Sequence, residues 1–212
     1  MNAAWMWPVL PSVPLLPWSV AGAWGVLMAA LVWRWGRTRS APQGWRVVAV
    51  LVGLSAVLPW TNAWTAMLAL ALQTPSLSLL VWALHRAARS PRRALWQATE
   101  PAGWALPLAG ALLGWALWLD TLNLWPPAWA LYAWGFGAPA LWAVAVCVAL
   151  VHLSQPSPAN RAQVGGVVTV LLVFALCRWP SGNLWDALLD PFVWVGCHAA
   201  LWRAWRDRVR GA

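Results

Sequence analysis

The sequence predicts an all-α membrane protein: a polytopic bundle of about seven transmembrane helices that occupies residues 1–212 as a single domain. Three observations predict this fold class. Hydrophobic residues make up 62% of the chain and charged residues only 9%, whereas a water-soluble domain carries about 25% charged residues. The apolar runs last about 13 to 24 residues, and the longer ones have the length of a helix that crosses a bilayer. The arginines lie in short stretches between these runs.

The apolar runs favour helices over a β-barrel. In lipid every backbone N–H and C=O group must find a partner within the protein, which leaves helices and closed barrels as the spanning structures. Barrel strands alternate apolar and polar residues, and the runs in this sequence lack that alternation. The 23 tryptophans suit helices that end at the two membrane interfaces, where indole rings concentrate.

Each run in turn is predicted to form one span. The first 33 residues carry no charged side chain, so they lack the basic segment of a secretory signal peptide. The third run contains Gln73, Thr74 and Pro75 near its middle, and proline predicts a kink there because it removes an N–H group. In the fifth run, Gly135 and Gly137 permit close approach of a neighbouring helix. The runs cover about residues 14–33, 45–59, 65–84, 102–119, 128–151, 164–177 and 190–202.

The positions of the arginines predict the orientation. With seven alternating spans, all of the 14 arginines except Arg178 fall on one side of the membrane. Cytoplasmic loops carry an excess of basic residues, so that side is the cytoplasm, with the N-terminus outside and the C-terminus inside. Asp120, Asp186 and Asp190 fall on the outer side. Six spans are the alternative, if the short sixth or seventh run does not cross the bilayer.

Two helix starts are predicted between the sixth and seventh runs. Asn183 is expected to be an N-cap, and Asp186, three residues later, is expected to reach back to it as in a capping box. Asp190 followed by Pro191 predicts a second helix start, because proline is favoured at the first helical position. Asp186 and Asp190 lie four residues apart, so on one continuous helix they would share a face and repel each other.

The densest group of polar side chains is predicted at the outer face, and we call it the outer polar cluster. Arg178 is the one basic residue predicted on that side and the expected counter-ion of the aspartates. Two interpretations stay open: the group caps helices and ties the last two spans together, or it forms a binding or proton-linked site at the mouth of the bundle. The cluster consists of Asp120, Asn123, Arg178, Ser181, Asn183, Asp186 and Asp190.

The sequence predicts neither a bound cofactor nor a metal site. His85 and His152 are both expected at cytoplasmic ends of spans, where a pair of imidazoles could ligate a haem, but interfacial polar residues are the favoured interpretation. The three cysteines have neither metal-ligand nor disulfide spacing. Since the chain contains no lysine, a retinal Schiff base and a Walker phosphate loop are both excluded.

Two short matches bear on catalysis. Residues Pro180 to Asn183 resemble the Pro-Ser-Gly-His box of membrane-bound lipid phosphatases of the acid-phosphatase type. Three residues match, asparagine replaces the proton-donating histidine of that family, and the family's two other boxes do not occur in this sequence. Cys177, Arg178 and His198 resemble the Cys, Arg and His of exosortase-type membrane transpeptidases in residue type, at a much shorter spacing. The first resemblance implies chemistry on a lipid and the second implies transpeptidation; an enzyme that acts on a lipid or a lipid-linked group at the outer face is the corresponding hypothesis.

These features favour an accessory or structural protein of the bacterial inner membrane without its own catalysis. The expected partners are the lipid bilayer and other membrane subunits or a second copy of the chain. The formal charge of +9 is assigned to membrane topology, so no nucleic-acid partner is predicted. Two alternatives stay open: a small-solute or proton-linked transporter or channel, and an intramembrane enzyme that would act through Ser181, Cys177 or His198.

Overall fold

The computed structural model describes residues 16–37, 42–56, 63–88, 104–124, 126, 130–154 and 157–211. Within these ranges the chain forms helices joined by turns, and none of the described residues lies in a strand, so the all-α class is confirmed. The helices are α1 (Leu16–Gly36), α2 (Pro42–Ser55), α3 (Ala63–Leu72), α4 (Leu77–Ala88), α5 (Ala105–Thr121), α6 (Leu131–Trp134), α7 (Ala138–Ser154), α8 (Pro158–Cys177), α9 (Leu184–Leu188) and α10 (Pro191–Gly211).

One helix of these ranges is long and apolar enough to cross a membrane. It contains the segment Asn160–Cys177, 18 residues with a mean hydropathy of 1.6. Shorter apolar helices contain 10 to 17 residues, and α5 and α7 have 17 each. A helix of that length measures about 25 Å, somewhat less than the roughly 30 Å hydrocarbon core of a bilayer. The structure thus establishes one candidate span and several shorter apolar helices.

The third apolar run is interrupted rather than only kinked. Helix α3 ends at Leu72 and α4 begins at Leu77. Between them, Gln73 adopts a left-handed backbone with a φ of 63°, which ends the helix one residue before the Thr74-Pro75 step. The freed carbonyl of Gln73 accepts a hydrogen bond from the Trp24 indole at 3.1 Å. A side chain of α1 therefore satisfies the backbone where the third run breaks.

The fifth run is also divided. The short helix α6 ends at Trp134, a turn follows at Gly135 to Gly137, and α7 begins at Ala138. The expectation that glycine permits close approach here is confirmed for Gly135, whose backbone lies against the Asn183 side chain. The neighbours are Asn183, which precedes α9, and Trp185 within α9.

The last two apolar runs form longer helices than predicted. Helix α8 starts at Pro158 instead of residue 164, because the Ser157 side chain accepts the Asn160 N–H at 3.1 Å and caps the helix. Helix α10 starts at Pro191, as expected, and continues through the basic tail to Gly211. The charged residues of the tail therefore belong to α10, which continues beyond its apolar part.

Small residues allow α5 and α10 to pack closely. Gly110 and Gly114 stand four residues apart on α5, the spacing at which small residues line one face of a helix in contact with another. A Cβ at Gly110 would lie 2.8 Å from the Cys197 sulfur, and one at Gly114 would overlap the Trp194 indole. The Trp194 indole donates to the Ala111 carbonyl at 3.2 Å. The two glycines thus set the distance between these helices.

Two groups of buried side chains hold the bundle together. The first joins α4, α8 and α9 around Phe174 and Leu184, which are both fully buried. The second joins α1 and α4 around Trp24 and Leu79. The loops predicted to hold Arg39, Arg89, Arg92 and Arg93 lie outside the described residues.

Candidate functional site

The segment between α8 and α10 folds back against the start of α6. Helix α8 ends at Cys177, and Arg178 adopts a left-handed conformation with a φ of 52°. Its N–H donates to the Phe174 carbonyl, and its own carbonyl accepts from the Gly182 N–H, each at 2.8 Å. This turn places Asn183 at the buried start of α9.

Asn183 is the centre of the contact between these segments. Its side chain is fully buried, its amide donates to the Tyr132 carbonyl, and its Oδ1 accepts the Trp185 N–H, both at 2.9 Å. The predicted N-cap is thereby confirmed. The Leu184 N–H donates to the Gly135 carbonyl at 2.8 Å, and the Trp185 indole donates to the Leu131 carbonyl at the same distance. The carbonyls freed where the fifth run breaks are thus satisfied from α9.

Asp186 accepts two hydroxyl donors instead of closing a capping box. Both the Ser181 hydroxyl and the Tyr132 hydroxyl donate to its Oδ2, the latter at 2.9 Å. The Asn183 N–H, which the capping box would assign to Asp186, donates to the Ser181 hydroxyl oxygen at 3.2 Å. The capping-box prediction is wrong because Ser181 lies closer to that N–H and occupies it. The Asp186 carboxylate instead accepts a hydrogen bond from Tyr132 of α6.

Tyr132 links Asp186 to Asp120. The Tyr132 N–H donates to Asp120 Oδ2 at 2.8 Å, so Asp120 satisfies the first turn of α6 from the end of α5. Tyr132 lies in α6, ahead of α7, which begins at Ala138. Burial and the neighbouring Asp186 carboxylate raise the pKa of Tyr132 to about 12. At neutral pH the hydroxyl is therefore protonated and donates a hydrogen bond to the Asp186 carboxylate.

The titration of Tyr132 can be followed directly, since it is the single tyrosine of the chain. We expect the ultraviolet absorbance of tyrosinate to develop around pH 12 in the folded protein, above the ordinary value of about 10. In Asp186→Asn the midpoint should fall part of the way back, because the negative charge and the charged acceptor are lost. The raised pKa stabilises the fold below about pH 10, and that contribution disappears as the pH rises towards 12. Identical midpoints in the two proteins would contradict the contact.

Asp190 caps α10 and also accepts the N–H of Ser76, the residue before α4. Its Oδ1 accepts the Val193 N–H at 2.8 Å, which confirms the predicted cap of α10. Its Oδ2 accepts the Ser76 N–H at 2.9 Å, at the start of α4. Leu189 is extended and separates α9 from α10. The expectation that Asp186 and Asp190 share a helix face is therefore wrong.

Arg178 does not pair with the aspartates. Its guanidinium lies over the Phe174 ring, 5.2 Å from the ring centre, and Nη1 is buried without a hydrogen-bond partner among the described residues. The left-handed backbone at this position turns the side chain onto its own helix, because residue 174 lies one turn earlier on α8. The expected counter-ion role finds no ion pair within the described ranges.

Asn123 also stays apart from the rest of the outer polar cluster. It occupies the turn after α5 with a φ of 55°, and its N–H donates to the Asp120 carbonyl at 2.9 Å. The structure therefore joins Asp120, Ser181, Asn183 and Asp186 through Tyr132, and it places Asp190 at a separate junction between α4 and α10. Asn123 ends a helix, and Arg178 ends another.

The histidines and cysteines occupy separate places. His85 and His152 lie in the last turns of α4 and α7. His198 Nδ1 lies 2.9 Å from the Trp194 carbonyl, and its Nε2 accepts the Trp115 indole N–H at 3.2 Å. The Cys177 thiol donates a hydrogen bond to the Val173 carbonyl of its own helix. Within the described residues, no group of three or more His, Cys, Asp or Glu side chains is arranged to hold a metal ion.

Three contributors to the site were missed by sequence reasoning. Tyr132, Ser76 and Trp185 each bond across a separation of 51 or more residues, which no local pattern can indicate. The Gly-Phe-Gly sequence at 135–137 did mark the docking point, since only a glycine admits the Asn183 side chain there.

Chemically, five members of the outer polar cluster accept hydrogen bonds from backbone N–H and hydroxyl groups at helix ends: Asp120, Ser181, Asn183, Asp186 and Asp190. Buried polar groups of this kind stabilise one arrangement of helices because each unpaired group would be costly in an apolar surrounding. No known protein family matches the chain, and neither a curated protein nor a solved structure matches it.

Proposed function

We propose that the chain is an accessory or structural protein of the bacterial inner membrane that crosses the bilayer seven times and has no catalysis of its own. The observation that carries this proposal is the apolar surface. Leu70 and Leu176 are 87% and 88% exposed, and Trp142 is 68% exposed. Soluble monomers rarely expose large contiguous apolar patches, whereas lipid or membrane subunits would cover such side chains.

The seven spans are α1, α2, α3 together with α4, α5, α7, α8 and α10. Contacts at the helix ends support this path. At one end of α1, Trp33 and Arg37, the residue that follows the helix, both donate to the Ala87 carbonyl of α4, at 3.2 and 2.6 Å. At the other end of α1, the Trp179 indole donates to the Ser19 hydroxyl at 3.0 Å. Residues predicted on the same side of the membrane thus meet each other.

The outer polar cluster supports a structural role. Asp120, Asp186 and Asp190 accept backbone N–H or side-chain hydroxyl groups that belong to other helices or loops. The Ser181 hydroxyl is bound by Asp186 and by the Asn183 N–H, and no histidine base contacts it among the described residues. These contacts favour helix capping over the enzyme alternative.

One observation favours the transporter alternative. Two apolar runs are interrupted, at Gln73 and at Gly135, and interrupted helices often form ion or substrate sites in transporters. However, the freed carbonyls of Gln73, Tyr132 and Gly135 accept protein N–H groups and are not open to an ion. If transport occurred, Asp186→Asn would abolish flux in reconstituted vesicles while the amount of folded protein stayed the same.

Reporter fusions test the proposed path. Fusions in the turn around Arg92 and in the tail after Arg206 should both report the cytoplasm, because an even number of spans separates them. A fusion after Asn123 should report the periplasm. Opposite locations for the first two fusions would contradict the seven-span arrangement.

The proposed absence of catalysis is tested with the purified protein alone. After reconstitution into vesicles we expect neither solute uptake nor turnover of lipid or lipid-linked substrates above vesicles without protein. Specific turnover that is lost in Ser181→Ala, Cys177→Ala or His198→Ala would replace the structural proposal with the enzyme.

A further inference from the structure

An apolar groove of about 420 Å³ runs between α7 and α8. Its size falls within the roughly 300–1,000 Å³ of small-molecule binding sites. On α7 its wall is formed by Trp142, Ala145, Ala149 and His152, which recur every three or four residues and so share one helix face. The two alanines leave the space between the helices unfilled, and His152 lies at one end.

The α8 wall continues the same pattern to a second basic residue. Val164, Val168 and Leu171 line the groove, and Arg161 precedes Val164 by one helical turn on the same face. The Asn160 amide donates to the Val151 carbonyl at 3.1 Å. This bond holds the start of α8 beside the end of α7. Because Arg161 follows Asn160 and His152 follows Val151, both basic residues lie at the same end of the groove.

The charge and the length of the groove indicate its occupant. The other lining residues are apolar, whereas Arg161 and His152 can both donate hydrogen bonds to an anion. Arg161 is exposed and forms no salt bridge with a carboxylate of the described ranges. From Trp142 to His152 the groove extends about 15 Å along α7, which is half of the roughly 30 Å hydrocarbon core. An acyl chain of one leaflet has this reach.

We propose that the groove binds one acyl chain of an anionic phospholipid from the cytoplasmic leaflet, with its phosphate held by Arg161 and His152. The proposal rests on the membrane location given above. Arginine suits this role because its planar guanidinium donates two parallel hydrogen bonds to a phosphate. The apolar chain displaces no polar contact in the groove, and it covers side chains such as Trp142 that the protein leaves exposed.

Native mass spectrometry of the purified full chain in detergent tests the proposal. Phosphatidylglycerol and phosphatidylcholine with identical acyl chains serve as probes, and we expect phosphatidylglycerol to be retained preferentially. Arg161→Gln should weaken phosphatidylglycerol binding about tenfold, because one charge-assisted contact is lost. Arg210→Gln, an exposed arginine in the tail, is the matched control and should bind as the unaltered protein does.

A second pair of variants tests the groove itself. Ala149→Phe fills the groove and should reduce retention of both lipids, whereas Leu150→Phe, on an adjacent exposed position outside the groove, should not. Equal retention of the two lipids by the unaltered protein, or unchanged binding in Arg161→Gln, would overturn the proposal. If the unaltered protein were dimeric and Ala149→Phe dissociated the dimer, a second copy of the chain would occupy the groove and the proposal would be overturned. If the protein did not fractionate with membranes, the proposed function would fail instead.

Discussion

Asp190→Ala is expected to lower the free energy of unfolding by about 2–4 kcal/mol, because it removes the cap of α10 and leaves the buried Ser76 N–H without its acceptor. The carboxylate accepts the Val193 N–H at the start of α10 and the Ser76 N–H at the start of α4. The lost cap of α10 costs about 1–2 kcal/mol, and a buried N–H that is left without a partner, here that of Ser76, is also costly. Unfolding of the purified protein in detergent, followed by circular dichroism, measures the loss.

Two further variants make the Asp190 measurement specific. Asp190→Asn retains one acceptor oxygen and should lose about half as much stability. Asp207→Ala removes a carboxylate that is 68% exposed and 3.7 Å from Arg206, so it should change stability by no more than about 0.5 kcal/mol. If Asp190→Ala unfolded like Asp207→Ala, the two hydrogen bonds to Asp190 would contribute nothing to stability.

Gly135→Ala is expected to destabilise the protein by a similar amount, about 2–4 kcal/mol. The new methyl group would overlap the Asn183 side-chain oxygen and lie 2.6 Å from the Trp185 ring. Asn183 is fully buried, so it can move only by breaking its hydrogen bonds to Tyr132 and Trp185. The same unfolding measurement applies, and Tyr132 should titrate closer to its ordinary pKa in this variant.

Gly165→Ala is the matched control for the glycine substitution. A Cβ at Gly165 meets nothing within 4 Å, and the residue lies inside α8. Since alanine favours helices over glycine, stability should be unchanged or rise by up to about 1 kcal/mol. Equal destabilisation by both substitutions would show that the tight contact at Gly135 has no particular effect.

The helical class and two helix starts could be predicted because they depend on neighbouring residues. Long apolar runs dictate helices in any apolar surrounding. Asn183 and Asp190 act as caps through N–H groups two or three residues away, which is the range that capping rules describe. Local proline and glycine likewise marked the two interruptions, although the break at Gln73 is more complete than a kink.

The partners within the site could not be predicted because they depend on tertiary contacts. The Asp186 carboxylate bonds to Tyr132, which lies 54 residues earlier. Arg178 was expected beside the aspartates on charge alone, but the conformation of its backbone turns it onto Phe174. Ser181 occupies the N–H that the capping box assigned to Asp186. In each case a nearer or better-aligned group is present than the one that spacing suggested.

The carboxylate shared by α4 and α10 has a consequence for biosynthesis. Asp190 follows Ser76 by 114 residues, so the ribosome synthesises α4 long before the acceptor of the Ser76 N–H exists. Until α10 is synthesised, the Ser76 N–H lacks its native acceptor, and a buried amide without a partner is costly. Chains that stop before residue 190 therefore lack the hydrogen bond between Ser76 and Asp190, and we expect them to be degraded faster than the 212-residue chain.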